Sequence, residues 1–216
     1  MERKSIETFI QPIYFKYLPS LTEESTEIYV LIHGWSGNED SMSIFSSVVP
    51  QNRTIVFPRG CLEIMKDNYG WVDFRVGNPT FDDYACVAEE LFGSINELIK
   101  NFDLNHESHT LNLIGFSQGA AISATLSILF PNSIKKVALL AGFLPESPPA
   151  IDDNSLSAIQ YYVAHGTEDQ LVDFNKSLDL RNYFQQKGAD VNFCQEEIGH
   201  KVGKNCLRNL KNFFSL

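Results

Sequence analysis

Ser117, Asp169 and His200 are the residues whose types and order point to covalent chemistry. Ser117 is the centre of G-x-S-x-G, made by Gly115, Phe116, Ser117, Gln118 and Gly119. A serine hydroxyl is a poor nucleophile by itself; it needs a base in reach and a third group to orient that base. The motif does this job only on a sharp turn between a strand and a helix, where the hydroxyl projects clear of the backbone. The flanks fit. Leu111, Leu113 and Ile114 read as a short apolar strand ending at the first glycine, and Ala120, Ala121, Ala124, Leu126 and Leu129 as a buried helix. Gly115 and Gly119 stand where a side chain would clash in so tight a turn. A helix starting near Gln118 aims free N–H groups and a positive dipole end at the same spot.

With this elbow the partners follow in the order Ser, Asp, His. The acid is Asp169 in H-G-T-E-D, just past a strand ending near Ala164; Glu168 and Asp173 compete, and an acidic loop or helix N-cap is the plainer reading. The base is His200 in I-G-H-K-V, after the last strand. His106 and His109 precede Ser117 in a polar loop and read as solvated. His165 reads as a packed residue shaping the Asp169 loop, and His33 as structural. Glu196 and His200 have a metal-like spacing, but Gly199 and the strand end break the helix such a pair needs, so no metal is predicted. A tetrahedral intermediate needs donors for its oxyanion. The backbone N–H of Gln118 is one; the N–H of Trp35, in H-G-W-S-G after an early strand, is the other. Trp71 and Phe143, with Tyr69 and Phe74, are candidates for an apolar substrate wall. Arg59 and Arg75 lie near that stretch and read as solvated rather than as anion contacts.

Positioning these groups requires a particular framework. Glu27–Ile32, Thr54–Phe57, the elbow strand, Lys135–Leu140, Ile159–Ala164 and Val191–Gln195 are apolar enough for strands buried on both faces. Pro12–Leu18 reads as an edge strand or half a hairpin, residues 22–26 as a turn, and residues 40–49 as a short helix. Phe81–Phe102, Phe174–Lys187 (Gly188 as its cap) and Lys201–Phe214 carry helical spacing, the last with Val202, Leu207, Leu210 and Phe213 inward. Residues 61–79 form a long irregular excursion, and the proline-rich stretch from Gly142 to Ser155 a loop beside the site. Strands alternating with helices give an α/β fold with a mostly parallel sheet, helices on both faces, and one domain over residues 1–216. Sites in such sheets lie beyond the carboxyl ends of the strands. Trp35, Ser117, Asp169 and His200 all follow strand ends.

The net charge of -10 argues against a nucleic-acid partner, whose phosphates would be repelled. The four cysteines make no C-x-x-C pair, the start of the chain lacks an apolar leader segment, and no apolar run is long enough to span a membrane. A cytoplasmic protein with free thiols is expected.

With these motifs in view, the chain resembles the phospholipase/carboxylesterase family of α/β-hydrolases, which includes acyl-protein thioesterases and small bacterial carboxylesterases. The matching pieces are H-G-W-S-G-N-E at 33–39, Y-G-W-V-D-F at 69–74, G-F-S-Q-G-A at 115–120, L-A-G-F-L-P at 140–145, H-G-T-E-D-Q-L-V at 165–172 and G-H-K-V at 199–202. The resemblance implies Ser117, Asp169 and His200 as a triad, Trp35 and Gln118 as the oxyanion hole, and no cofactor. It implies hydrolysis of small-molecule carboxylic esters or thioesters through an acyl-enzyme. Two departures stand out. Gly119-Ala120 replaces a common G-G, and Ser36-Gly37 is closer to the bacterial pattern than to the alternating glycines of eukaryotic thioesterases. Dienelactone-hydrolase-like enzymes share the fold but usually carry a cysteine nucleophile. A serine carboxylesterase acting on small or medium acyl chains, without a substantial lid, is the expectation. A thioesterase or lysophospholipase is the alternative, and a non-catalytic ligand-binding relative the reading from another class.

Overall fold

In the computed structural model, which describes residues 3–21, 27–102, 104 and 110–215, the apolar runs become strands shielded on both sides. The chain opens with the hairpin β1 (Ile6–Ile10) and β2 (Ile13–Leu18), then β3 (Glu27–Ile32) and β4 (Thr54–Arg59). A small hairpin, β5 (Leu62–Met65) and β6 (Asn68–Gly70), precedes α1 (Phe81–Asn101). There follow β7 (Thr110–Phe116), α2 (Gln118–Leu129), β8 (Ile134–Leu140), β9 (Gln160–Gly166), α3 (Asn175–Gln186), β10 (Asp190–Glu196) and α4 (Lys204–Ser215).

The main sheet runs β1-β2-β4-β3-β7-β8-β9-β10. The β1–β2 and β2–β4 pairs are antiparallel, and every pair from β4 to β10 is parallel. The two-residue period of a strand sorts its side chains between two cores. Val30, Ile32, Leu113, Val137, Leu139 and Val163 face the helices α1, α2 and α3. Leu31, Ile114, Ala138, Leu140 and Ala164 face α4 and a 3-10 turn over Ser43–Val48. Lys136 joins the second layer differently: its buried Nζ donates to the Phe213 carbonyl at 2.8 Å, near the negative end of α4.

Local signals explain the helix ends. The Thr80 N–H donates to the Asp83 carboxylate at 2.7 Å and starts α1, with Asp82 also in its first turn. Gly188 has φ of 83°, which a side chain disfavours, and closes α3 through Gly188 N–H to Gln185 O and Ala189 N–H to Phe184 O.

Three features differ from the sequence reading. The expected helix at 40–49 is a 3-10 turn over Ser43–Val48, and the stretch buries Met42, Phe45, Val48 and Val49 against the second core. Residues 61–79 hold the β5–β6 hairpin. The expectation of free thiols fails for two of the cysteines: Cys194 and Cys206 form a disulfide, while Cys61 and Cys86 are free. The end of β10 and the first turn of α4 run side by side, bringing the two Cα atoms to 5.7 Å, a pairing that their sequence separation of 12 does not announce. The turn expected at 22–26 and the histidines 106 and 109 lie outside the described residues. Among the described residues, no helix is long and apolar enough to cross a membrane.

Candidate active site

The elbow is built by close backbone contact. Ser117 adopts φ 55° and ψ -118°, outside the regions that residues with a side chain favour. Its N–H donates to Leu140 O at 2.8 Å, tying the turn to the end of β8. A Cβ on Gly119 would overlap the carbonyls of Ile32 and His33, so the first turn of α2 rests directly on the end of β3. The turn after β3 is thereby brought beside the serine: a Cβ on Gly34 would lie 3.1 Å from that of Ser117. Gln118 is the first residue of α2, so its N–H has no acceptor within the helix. Gln118 and Trp35 both border the cavity that Ser117 enters.

The turn over residues 33–37 is braced from below. His33 is fully buried; its Nε2 accepts the Gly60 N–H at 2.9 Å, so Nδ1 carries the proton and donates to Gly34 O at 2.7 Å. Trp71 was expected in a substrate wall. It is 2% exposed and does not border the cavity. Its indole N–H donates to His33 O at 2.8 Å, and its backbone N–H to Gln118 Oε1 at 2.8 Å. The Gln118 side chain also donates to Val72 O at 2.6 Å. Trp71 therefore holds the segment after β6 against the elbow, its indole anchored on His33 and its backbone on the Gln118 side chain. Sequence reading assigned Gln118 a backbone role alone; the inward side chain carries no sequence signal.

Burial pushes the His33 pKa from its ordinary 6.5 to about 4. A depressed histidine favours the native state fully above the unfolded value, and that contribution is lost as pH falls toward the folded one. From pH 7 to pH 5 the loss is about 2 kcal/mol. Urea unfolding at the two pH values tests this. The His33→Gln variant is expected to lack that part of the pH slope; an unchanged slope contradicts the assignment.

The β9 and β10 ends are zipped together by Thr167 N–H to Glu196 O and Glu168 N–H to Ile198 O. This brings Asp169 and His200 together: His200 Nδ1 lies 2.7 Å from Asp169 Oδ2. The other carboxylate oxygen accepts the N–H groups of Leu171 at 2.9 Å and Val172 at 3.0 Å. Burial works against the Asp169 charge, but the Val172 N–H, the His200 ring and the Leu171 N–H outweigh it and hold the pKa below the usual value. His165 packs against the same group, with Nε2 3.2 Å from Asp169 Oδ2 and 2.9 Å from Val172 O. The competing acids sit elsewhere. Glu168 is exposed, and Asp173 accepts the Asn175 N–H at the start of α3.

Glu196 does not pair with His200; its carboxylate accepts the N–H groups of Asn205 and Cys206 at the start of α4. Among the described residues, no group of three or more His, Cys, Asp and Glu side chains is arranged to hold a metal. Arg59 pairs with Glu39 and stacks over Tyr14 and Tyr69, and Arg75 pairs with Asp73.

Ser117 and His200 border one cavity of about 970 Å³. Met42 just before the 3-10 turn, Ile44 and Phe45 within it, Val202 before α4 and Leu207 in it, Phe143 and Leu144 of the proline-rich loop, and Phe74 give it apolar walls. Tyr69 is absent from them. Ile44 and Leu171, exposed residues at this cavity, carried no signal in the sequence because their partner surface exists only after folding.

A serine elbow at the end of β7, facing loops from the ends of β3, β9 and β10 with no large lid among the described residues, defines an α/β-hydrolase. The comparisons agree. The family described as Phospholipase/Carboxylesterase matches residues 19–216, and the chain belongs to that family. Acyl-protein thioesterase 1 of Debaryomyces hansenii is 28% identical over 206 residues, covering 85% of this chain and 88% of the relative. The fold is shared with the Bacillus cereus carboxylesterase, at a TM-score of 0.83 and 20% identity over 95% of this chain and 94% of that one. It is shared too with a carboxylesterase from Mesorhizobium loti, at 0.81 and 20% over 97% and 98%.

Proposed function

We propose that this hydrolase is a serine carboxylesterase with Ser117, Asp169 and His200 as its triad. The observation that carries the reading is the hydrogen bond from His200 to Asp169, with the imidazole bordering the same cavity as the strained Ser117. Ser117 Oγ attacks the ester carbonyl, and His200 takes the hydroxyl proton. Asp169 keeps the imidazole in the tautomer that can accept it and stabilises the resulting charge. The oxyanion turns toward the N–H groups of Trp35 and Gln118. Collapse expels the alcohol with the proton from His200, and water repeats the cycle on the acyl-enzyme.

The substrate is a small-molecule ester with a small or medium acyl chain. The cavity volume lies near the upper end of the range for small-molecule sites, and its walls are largely apolar, Phe143 among them. Hydrolysis of p-nitrophenyl acetate, butyrate and octanoate, with mass spectrometry after fluorophosphonate treatment, tests the reading. Turnover and a label on Ser117 support it. No label and no turnover in folded protein would favour a non-catalytic ligand-binding role. Ile44→Asp, an exposed position at the cavity, is expected to lower kcat/KM for octanoate on the order of tenfold and to leave acetate within about twofold. Equal losses on both would remove the 3-10 turn from the acyl site.

The thioesterase alternative is favoured by the name of the Debaryomyces hansenii relative, and matched acyl esters and thioesters separate the two. A cytoplasmic location is part of the proposal, tested by cell fractionation. There the Cys194–Cys206 disulfide would meet the cellular thiol pool.

A further inference from the structure

We propose that the Cys194–Cys206 disulfide is a positioning clamp for His200, so that its reduction slows catalysis without unfolding the protein. The proposal rests on His200 acting as the base.

His200 lies in the connection between the end of β10 at Glu196 and the start of α4 at Lys204. It is six residues from either cysteine. The disulfide therefore closes a loop with the imidazole at its middle. The two ends of that loop have different supports. β10 is the edge strand and pairs with β9 alone in the main sheet. α4 docks on the sheet face through Cys206, Leu210, Phe213 and Phe214, and the Tyr162 hydroxyl donates to Cys206 O at 2.7 Å. The relative placement of strand and helix, and with it the loop between them, therefore depends on the bridges that join the two elements. The elements are joined by the Glu196 carboxylate, which accepts the Cys206 N–H at 2.9 Å and the Asn205 N–H at 3.3 Å and side-chain amide at 3.1 Å, by the Asn209 amide, which donates to Cys194 Sγ at 3.8 Å, and by the disulfide itself. The others are hydrogen bonds, the one to Cys206 partly buried; the disulfide is covalent. At the site end, the ring is set by Asp169 at 2.7 Å and by the Phe116 ring, whose centroid is 5.0 Å away. General-base catalysis is sensitive to this placement, since a misplacement of about 1 Å can cost about 100-fold in rate.

Reduction has a defined course. Cys206 is 2% exposed and Cys194 is partly exposed, so an incoming thiolate meets the Cys194 sulfur. With dithiothreitol, one thiolate bonds to Cys194 Sγ while the Sγ–Sγ bond breaks, and Cys206 leaves as a thiolate that takes up a proton. The second thiol of the reagent then displaces Cys194, which is also protonated. Two electrons have passed from the reagent, now a cyclic disulfide, to the protein.

The test compares untreated protein, dithiothreitol-treated protein and the Cys194→Ser/Cys206→Ser double variant on p-nitrophenyl butyrate. The expected result is a loss of kcat of about tenfold in both altered forms with KM within about twofold. The rate of fluorophosphonate labelling at Ser117 should fall in parallel, and circular dichroism should stay native. Reoxidation restores kcat in the treated protein and not in the double variant. A kcat within twofold of the untreated value, once thiol titration shows the bond reduced, overturns the proposal. Loss of native dichroism on reduction also overturns it, because the bond would then serve stability. So does titration of the untreated, non-reduced protein showing Cys194 and Cys206 already free. His200→Ala in the same assay separates the two levels. If that variant stays active, the assignment of the base fails. If it is inactive while the double variant is not, the clamp alone fails.

Discussion

Replacing Ser117 with alanine is expected to lower kcat for p-nitrophenyl butyrate by about 10⁴-fold or more. In the proposed mechanism the hydroxyl is the group that becomes acylated, and the adjoining side chains, Phe116 and Gln118, cannot substitute for it: they carry an aromatic ring and an amide already bonded to Trp71 and Val72. Fold should be retained, because alanine fits the same space. A second variant isolates the strain. Ser117 sits at φ 55°, ψ -118°, a conformation that costs a side-chain-bearing residue about 1–3 kcal/mol. Ser117→Gly removes that cost, so it should be inactive yet more stable to urea than Ser117→Ala. Appreciable turnover by the alanine variant would point to another nucleophile. Equal stability of the two variants would mean that the elbow stores no strain.

Asp169→Asn is expected to reduce kcat by about 10⁴-fold while leaving substrate binding nearly unchanged. The reason lies in how the carboxylate is divided. One oxygen accepts the N–H groups of Leu171 and Val172, and the other faces His200 Nδ1 at 2.7 Å. An asparagine must keep its carbonyl oxygen toward the two backbone donors. Its NH₂ group then faces Nδ1, which has to become an acceptor, and the ring proton moves to Nε2. That tautomer cannot take a proton from Ser117. His165 does not repair the damage, because its Nε2 proton is directed at Val172 O and the side of Asp169. The checks are kcat and KM on p-nitrophenyl butyrate together with the fluorophosphonate labelling rate at Ser117. A loss below tenfold would show that Asp169 orients the loop but not the imidazole. Asp169→Ala offers a second view: it forces no tautomer, and its kcat should exceed that of the asparagine variant.

The chain's own pattern determined much of this protein. Short apolar runs separated by helical stretches demanded a parallel sheet with two cores, because strands such as Glu27–Ile32 have no polar face to leave in water. The elbow was legible because its first glycine is required by local backbone contact: a side chain at Gly115 would strike the Gly119 carbonyl, four residues on. The order of Asp169 and His200 after strand ends was legible for a related reason, since chain order and sheet topology place such loops along one edge. Tertiary structure alone decided the rest. Trp71 turned inward because two hydrogen-bond acceptors, one on β3's end and one on Gln118, converge on it from distant parts of the chain. The 3-10 turn, the approach to α4 and the proline-rich loop became cavity walls only when the sheet brought them together. The cysteines at 194 and 206 became a pair because an edge strand and a surface helix happen to lie alongside. Local periodicity reports which face of an element is buried. It holds no record of which remote backbone atom will come within hydrogen-bonding or covalent reach, and those meetings set the walls of this site and the brace behind it.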